Sequence, residues 1–484
     1  MKASELLSIV RGSALVGDDR EFSRLQSDSR AVRPGDAFIA LKGSLSDGHA
    51  FIEKAVEAGA GVVVCRSDSM PRAQGATLVT VPDTRAALEG ILPALFPRAL
   101  KPRLLGITGT SGKTTTTYIL ESILRQAGMN PGVIGTIDMR YGGLSIPANN
   151  TTPGPVELYE ALDTMAKSRV DAVAMEVSSH SLDQDRIVGL SFACAVFTNL
   201  SQDHLDYHRD MDDYFLAKKK LFDEKHLAGR AVINADDPWG QKLISGVPGA
   251  LSFGRKGRRD ITVRSLRNLP GGMILTLTGP FGELTVRTHL MAEINAYNIM
   301  AAVGAAHALG TGTDAMIAGI EALEQVPGRL EPVRNSHGLT ILVDYAHKPD
   351  ALKNVLACAR TLTRGRVISV FGCGGDRDRT KRPVMGAIAS ELSDLVIVTS
   401  DNPRSEEPSA IIGDILAGIA DQSYVVVEPD REEAIRQGIT AMKEGDCLIV
   451  AGKGHETYQI VGGRKTSFDD RECVRKCLRE IFGS

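Results

Sequence analysis

The sequence predicts an α/β protein of three domains, and three observations lead there. At 484 residues the chain exceeds what one hydrophobic core ordinarily holds, and domains of ~100–200 residues give two to four of them. Short apolar runs alternate with amphipathic helical stretches, the texture of strand–helix units. That texture restarts near Leu104 and again near Arg329.

Residues 1–99 form the first unit, a small α/β domain. Apolar runs at 37–41, 61–65 and 76–81 alternate with helical patterns such as 51–60. Phe96-Pro-Arg-Ala-Leu-Lys-Pro-Arg103 holds two prolines and three basic residues and reads as a linker. The second unit, 100–328, opens with the apolar run 104–107. A helix over 114–126 follows, with Ile119, Leu120, Ile123 and Leu124 at helical spacing, and closes near Gly128. Nearly continuous apolar runs at 170–177 and 192–198 are expected to be buried parallel strands. Residues 260–290 alternate instead and are broken by Gly271-Gly272 and Gly279-Pro280, which predicts antiparallel hairpins. The third unit, 329–484, has strand candidates at 340–343, 367–371, 395–399, 424–427 and 447–450 with helical patterns between most. This is a Rossmann-like, doubly wound series, with functional loops expected at the carboxyl ends of its strands.

Composition narrows the function classes. Hydrophobic residues make up 43% and charged residues 24%, ordinary for a soluble globular protein. The formal charge of −3, from 56 basic and 59 acidic residues, argues against a nucleic-acid or membrane surface. An anionic ligand must then be met by local basic groups. No stretch suits a signal peptide or approaches the ~18 apolar residues of a membrane span, so a cytoplasmic protein is expected. Cys65, Cys194, Cys358, Cys373, Cys447, Cys473 and Cys477 are scattered and odd in number. Cys473 and Cys477 share a probable helix, but no second pair completes a zinc site, so free thiols are expected.

The chemistry starts at Gly106-Ile-Thr-Gly-Thr-Ser-Gly-Lys-Thr-Thr115, between an apolar strand and an amphipathic helix. Glycines let backbone approach phosphate, successive amides and a helix N-terminus supply partial positive charge, and Lys113 adds a full one. The Thr114 hydroxyl is a magnesium ligand candidate. Gly109, Thr110, Ser111, Gly112, Lys113, Thr114 and Thr115 are therefore the ATP-binding loop. Ile107 stands where a strict Walker A motif has its first glycine, so this is a shortened variant. Lys113 in the first helical turn opposes the helix dipole and needs an anion beside it.

Met175-Glu-Val-Ser-Ser-His-Ser-Leu-Asp-Gln-Asp-Arg186 follows a predicted buried strand, and Glu176 interrupts the apolar run where an unpaired carboxylate is costly. Phe197-Thr-Asn-Leu-Ser-Gln-Asp-His-Leu-Asp-Tyr-His208 follows the next strand. Carboxylate and imidazole beside a phosphate loop suit Mg²⁺, which takes oxygen ligands readily and nitrogen sparingly. Lys218-Lys-Lys220 would ordinarily be a solvated helix face, and spacing alone does not single out Lys218.

GTSGKTTTT, NTTPGP, EVSSHSLDQDR, FTNLSQDHLDYH, AKKKLF, DYAHKPDAL, FGCGGDRDRTKRP, DNPRSEEP and AGKGHE stand in the order seen in the Mur ligases. From about Asp28 to the C-terminus the chain resembles that family. The likeness is strongest to the branch that adds a diamino acid to UDP-N-acetylmuramoyl-L-alanyl-D-glutamate with ATP, in peptidoglycan precursor synthesis. The resemblance implies roles. Ser29, with the 42–47 loop, looks like the uridine diphosphate site. Thr151, Thr152, Ser178, Gln184 and Arg186 look like the cradle of the nucleotide sugar-peptide. Glu176 and His204 match magnesium ligands and Lys218 the family's carbamylated lysine, which with Lys113 make the catalytic set. Asn295 matches an adenine contact; Arg329 and Asp344 resemble phosphate and ribose contacts.

Asp401-Asn-Pro-Arg404 resembles the motif of the diaminopimelate-adding branch. The second carboxylate of meso-diaminopimelate suits a guanidinium fork that a lysine substrate would leave unpaired. Arg377, Asp401, Asn402, Pro403, Arg404, Gly452 and Glu456 are the implied amino-acid pocket, with Glu456 placed for an ammonium. Gly372-Cys-Gly-Gly-Asp-Arg377 lacks the last glycine of a dinucleotide fingerprint and is not read as one. Pro153 and Pro155 crowd the cradle loop and depart from the family pattern.

The expected protein is thus a monomeric ATP- and Mg²⁺-dependent ligase of small-molecule substrates working through an acyl phosphate. The alternatives are a lysine-adding relative, a folylpolyglutamate-synthase-like ligase or a phosphate-loop switch NTPase.

Overall fold

The structure, a computed structural model, describes residues 1–43, 46–69, 75–269 and 271–483. Of the 42–47 loop, Ser44 and Leu45 lie outside the described residues. Three main sheets follow one another along the chain, in a mixed α/β architecture.

The first sheet has five strands in the order Ala14–Val16, Thr77–Val81, Val62–Arg66, Ala37–Ile39, Leu25–Gln26. All pairs are parallel except the Ala14–Val16 edge. In its four parallel strands the apolar residues are buried on both faces, which is why they read as runs and not as alternation. Helix Thr84–Leu95 packs against helix Pro155–Lys167 of the central unit. One hydrophobic cluster therefore runs from Leu6, Leu88 and Leu92 into Tyr159, Leu162 and Phe192. No periodicity in the sequence signals that continuity.

The central sheet has eleven strands. Pro131–Ile134, Ala172–Glu176, Arg103–Thr108, Phe192–Phe197, Leu227–Asn234, Leu251–Gly254 and Ile261–Leu269 pair in parallel in that order. Ile261–Leu269, Gly272–Gly279 and Gly282–Thr288 form the antiparallel edge the sequence predicts. The opposite edge carries a second antiparallel ribbon, Asp138–Tyr141 with Leu144–Pro147, which sequence reading missed. Its outer strand is exposed throughout and so shows no apolar pattern. Its one signal is Gly142-Gly143, with φ of 55° and 83°, the conformation a two-residue hairpin turn demands.

The third sheet runs Glu331–Pro332, Thr340–Asp344, Cys447–Ala451, Val367–Phe371, Leu395–Val398, Val425–Val427, parallel except at Glu331–Pro332. The last strand in sequence, Cys447–Ala451, inserts between Thr340–Asp344 and Val367–Phe371. Leu342, Val367 and Phe371 face one core and Ile341, Val343, Ile368 and Val370 the other, so the sheet is covered on both sides as a doubly wound unit requires. A separate ribbon, Tyr458–Val461 with Arg464–Ser467, follows; it too was not anticipated. All seven cysteines are buried and free.

Candidate active site

The phosphate loop leaves strand Arg103–Thr108 and enters helix Lys113–Gln126. Gly109 and Gly112 have φ of 147° and 86°. A Cβ at the first would collide with Thr198 Oγ1 and at the second with Asn298 Oδ1, so the loop can close here only on glycine. The neighbouring strand end holds it. Thr110 N–H donates to Asn199 O at 2.9 Å, Ser111 N–H to Asn199 Oδ1 at 2.9 Å, and Thr198 Oγ1 to Ser111 O at 2.6 Å. Lys113 Nζ donates to Gly109 O (2.8 Å) and Thr110 O (3.0 Å), and burial pushes its ammonium down to about 8.

Glu176, at the carboxyl end of its strand, is 1% exposed. It accepts from Thr114 Oγ1, from the Thr136 amide and from Thr136 Oγ1, each at 2.9 Å. All three donors are neutral, which leaves a buried carboxylate with no cationic side chain bonded to it. That donor set suits a hard cation. Among the described residues no three His, Cys, Asp or Glu side chains stand together as a ready metal site.

Lys218, in helix Met211–Lys219, is 1% exposed, with Nζ donating to Gly109 O at 3.0 Å and lying 4.6 Å from the Tyr214 ring. Burial, reinforced by Lys113, holds its amine well below the usual lysine range. A neutral buried amine is the form that can add CO₂ to give a carbamate. His204 has φ 54° and lies 3.0 Å from Asp203 through Nε2. Burial lowers the imidazole to about 3, Asp203 opposing, so the ring is neutral and Nδ1 keeps a lone pair.

The third unit reaches into this site. Arg329 Nη2 donates to Thr114 Oγ1 at 3.2 Å, and Lys348 Nζ donates to Asp203. Asp344 Oδ2 accepts from Leu330 N–H at 2.7 Å, and burial pushes the carboxyl up to about 6 against the pull of Arg329. Asn295 is buried in helix Glu293–Ala308 and accepts from Asn298 Nδ2 at 2.9 Å, which ties it to the residue seated on Gly112.

Four cradle residues are joined. Thr152 Oγ1 donates to Glu176 O (2.9 Å) and accepts from the Ser178 amide (3.1 Å). Arg186 donates to Gln184 Oε1 at 3.0 and 2.7 Å and to Thr152 O at 2.9 Å. Thr151 meets Thr136 at 3.1 Å. Ser29 sits in the turn Ser29–Ala31, and among the described residues no hydrogen bond links it to this cradle. Arg85 spans the gap instead, donating to Lys42 O at 2.8 Å and to Gln184 O.

In the third unit, Asn402 Nδ2 donates to Glu456 Oε2 at 2.8 Å, and Lys453 Nζ reaches Asn402 Oδ1 (3.1 Å) and Glu456 Oε2 (3.3 Å). Arg404 Nη1 donates to Gly375 O at 2.7 Å. Gly374 lies between Arg404 Nη1 and the side chain of Arg377, which is exposed and donates to Asp376 O. Asp401 is buried with Oδ2 unpartnered, facing Gly452.

Residues 21–94, 107–306 and 328–454 match, in turn, the Mur ligase family catalytic domain, the Mur ligase middle domain and the Mur ligase glutamate ligase domain. The UDP-N-acetylmuramoyl-L-alanyl-D-glutamate–2,6-diaminopimelate ligase of Gloeobacter violaceus is 46% identical over 463 residues, 95% of this chain and 94% of that protein. The chain belongs to the Mur ligase family. A solved UDP-N-acetylmuramoyl-L-alanyl-D-glutamate–2,6-diaminopimelate ligase superposes with a TM-score of 0.70 at 32% identity, covering 99% of both chains. The MurF ligase of Thermotoga maritima in complex with ADP reaches 0.65 at 21% identity, covering 94% of this chain and 97% of that one, a likeness of fold.

This Mur ligase is an ATP-dependent ligase, and its sequence concealed several residues of the site. Thr136 pins Glu176, Asn199 and Asn298 shape the phosphate loop, Asp203 meets Lys348, and Lys453 is wholly buried beside Glu456. Of these, Asp203, Lys348 and Lys453 lie within the family motifs in a way that charge could flag, and none names its partner. No described helix of the Mur ligase is long and apolar enough to cross a membrane.

Proposed function

We propose that this chain joins meso-2,6-diaminopimelate to the D-glutamate side-chain carboxylate of UDP-N-acetylmuramoyl-L-alanyl-D-glutamate, a step in peptidoglycan precursor synthesis. The observation that carries this reading is the pairing, in one chain, of a phosphate loop held by Lys113 and Lys218 with the Asp401–Asn402–Pro403–Arg404 pocket. Full-length similarity to diaminopimelate-adding ligases supports it.

A carboxylate does not acylate an amine at neutral pH because oxide is too poor a leaving group. Transfer of the γ-phosphoryl of ATP to that carboxylate gives an acyl phosphate and ADP, and amine attack then expels phosphate and forms the amide. Lys113 offsets charge on the transferring phosphoryl group, and Gly109–Gly112 backbone amides cradle the chain of phosphates. Glu176, His204, Thr114 and carbamylated Lys218 would hold Mg²⁺, which supplies Lewis-acid neutralisation of the phosphates when bound. Thr151, Thr152, Ser178, Gln184 and Arg186 orient the acceptor peptide, with Ser29 on the uridine nucleotide. Arg404 and Arg377 receive the far carboxylate of the diamino acid, and Glu456 with Asn402 its ammonium. Arg329 and Asp344 carry nucleotide contacts from the third unit, so closure assembles the site and excludes water from the acyl phosphate.

The products test the route. ADP and phosphate are expected only when both the sugar-nucleotide peptide and diaminopimelate are present; AMP with pyrophosphate would rule out the acyl phosphate.

Acidification tests the Asp344 assignment. Its folded value of about 6 lies above the ordinary 3.8. The native state therefore takes up the proton first, and this group favours folding as pH falls from about 6 to about 4. What acid removes is the acceptor for ribose, not stability. The KM for ATP is expected to rise between about pH 7 and about pH 5, and Asp344→Asn to flatten that slope. A wild-type ATP KM indifferent to pH over that range counts against the contact.

A further inference from the structure

The ribbon Tyr458–Val461 with Arg464–Ser467 pairs with no strand of the third sheet. Its second strand is exposed throughout and its first only half-buried. A lone two-stranded hairpin with so little burial is marginal in water, so its position needs another cause.

The cause is the Asp401–Asn402–Pro403–Arg404 loop. Arg404 N–H donates to Ile460 O at 3.0 Å, and Gly462 N–H to Arg404 O at 2.8 Å. The Ile460 amide donates to Asn402 Oδ1 at 3.0 Å, and Gln459 Nε2 to Asp401 O at 2.8 Å. The loop is in effect a short third strand of the ribbon, with Arg404 opposite Val461 in parallel.

Arg404 itself is left-handed, with φ 54°. For a residue with a Cβ that conformation is unfavourable and persists only where its surroundings over-determine it. Here the amide and carbonyl of Arg404 are both held by the ribbon. Relaxation to an ordinary basin would turn the side chain away from Gly374 and Gly375, where its guanidinium now rests.

We propose that the ribbon is a specificity clamp, and that Gln459 is the positioning residue whose side chain fixes the Asp401–Arg404 loop so that the Arg404 guanidinium faces the second carboxylate of the acceptor amino acid. The inference rests on the acceptor reading above and adds what holds the arginine in place. Gln459 touches no substrate in this account; it acts through the loop.

Steady-state kinetics of the full-length enzyme test it. Loss of one neutral hydrogen bond predicts a three- to tenfold rise, to about that order, in the KM for meso-diaminopimelate in Gln459→Ala. Preference over L-lysine should fall by the same factor, with the KM values for ATP and the sugar-nucleotide peptide unmoved. Gln459→Glu keeps the volume but loses the donor, and should match Gln459→Ala. In an Arg404→Ala background, Gln459→Ala should add nothing, since its effect passes through that arginine. Unchanged diaminopimelate KM and preference in both Gln459 variants overturn the clamp, as does a common rise in all three KM values. If Arg404→Ala leaves the preference intact, the acceptor reading itself fails; if Arg404→Ala shifts it and the Gln459 variants do not, only the clamp fails.

Discussion

Lys218→Met is expected to lower kcat by about 10²- to 10³-fold, the scale on which enzymes lose one preorganised charged group from a transition state. Thermal stability should hold or rise. Burying the Lys218 amine next to Lys113 with a single backbone carbonyl as hydrogen-bond partner costs stability, and methionine keeps the packed stem without a polar group to desolvate. Loss of rate without loss of fold separates the two roles. The proposed carbamate adds a second readout. Wild-type enzyme stripped of dissolved CO₂ should lose activity and regain it with bicarbonate, while Lys218→Met responds to neither. A methionine variant with wild-type kcat would overturn the role given to Lys218.

Arg404→Ala is expected to cut kcat/KM for meso-diaminopimelate by about 10²-fold or more, because truncating one partner of a desolvated charge pair costs roughly 2–5 kcal/mol. Turnover of L-lysine, which has no second carboxylate, should change little, so the selectivity collapses from one side. Arg404→Lys restores the charge but not the planar fork, and should recover only part of the loss. Lysine would also have to adopt the same left-handed backbone, so incomplete recovery reflects the donor geometry. Equal losses on both amino acids would place Arg404 in general catalysis and remove it from discrimination.

These two residues differ in how they could be found from sequence. The phosphate loop was legible because its chemistry is local: glycines, a lysine and a hydroxyl within ten residues, between a strand and a helix. The doubly wound third unit was legible too, since strands buried on both faces write themselves as apolar runs. Arg404 stands in a motif whose charge has a stated purpose, but its φ of 54° and its ribbon do not show in the motif. Lys218 looks like one of three lysines on a helix face; only the family resemblance picked it out, and its burial explains why it differs from Lys219 and Lys220. Contacts such as Asp203 with Lys348, or Arg85 with Gln184, join residues far apart in sequence, and no spacing rule reaches them. The ribbons at 138–147 and 458–467, each with a fully exposed outer strand, were missed for the opposite reason. Their outer strands bury too little to leave a pattern, and only paired glycines mark their turns.

The ion pair between Asp203 and Lys348 also bears on how the protein is made. A ribosome that has just finished helix Glu293–Ala308 has already completed the phosphate loop, Glu176 and Lys218. It has not yet made Arg329, Asp344 or Lys348, and the carboxylate beside His204 still waits for its partner. On the roles proposed above, the machinery for spending ATP would be divided between early and late parts of the message, and a nascent or truncated chain would hold the phosphate loop without its partners from the third unit.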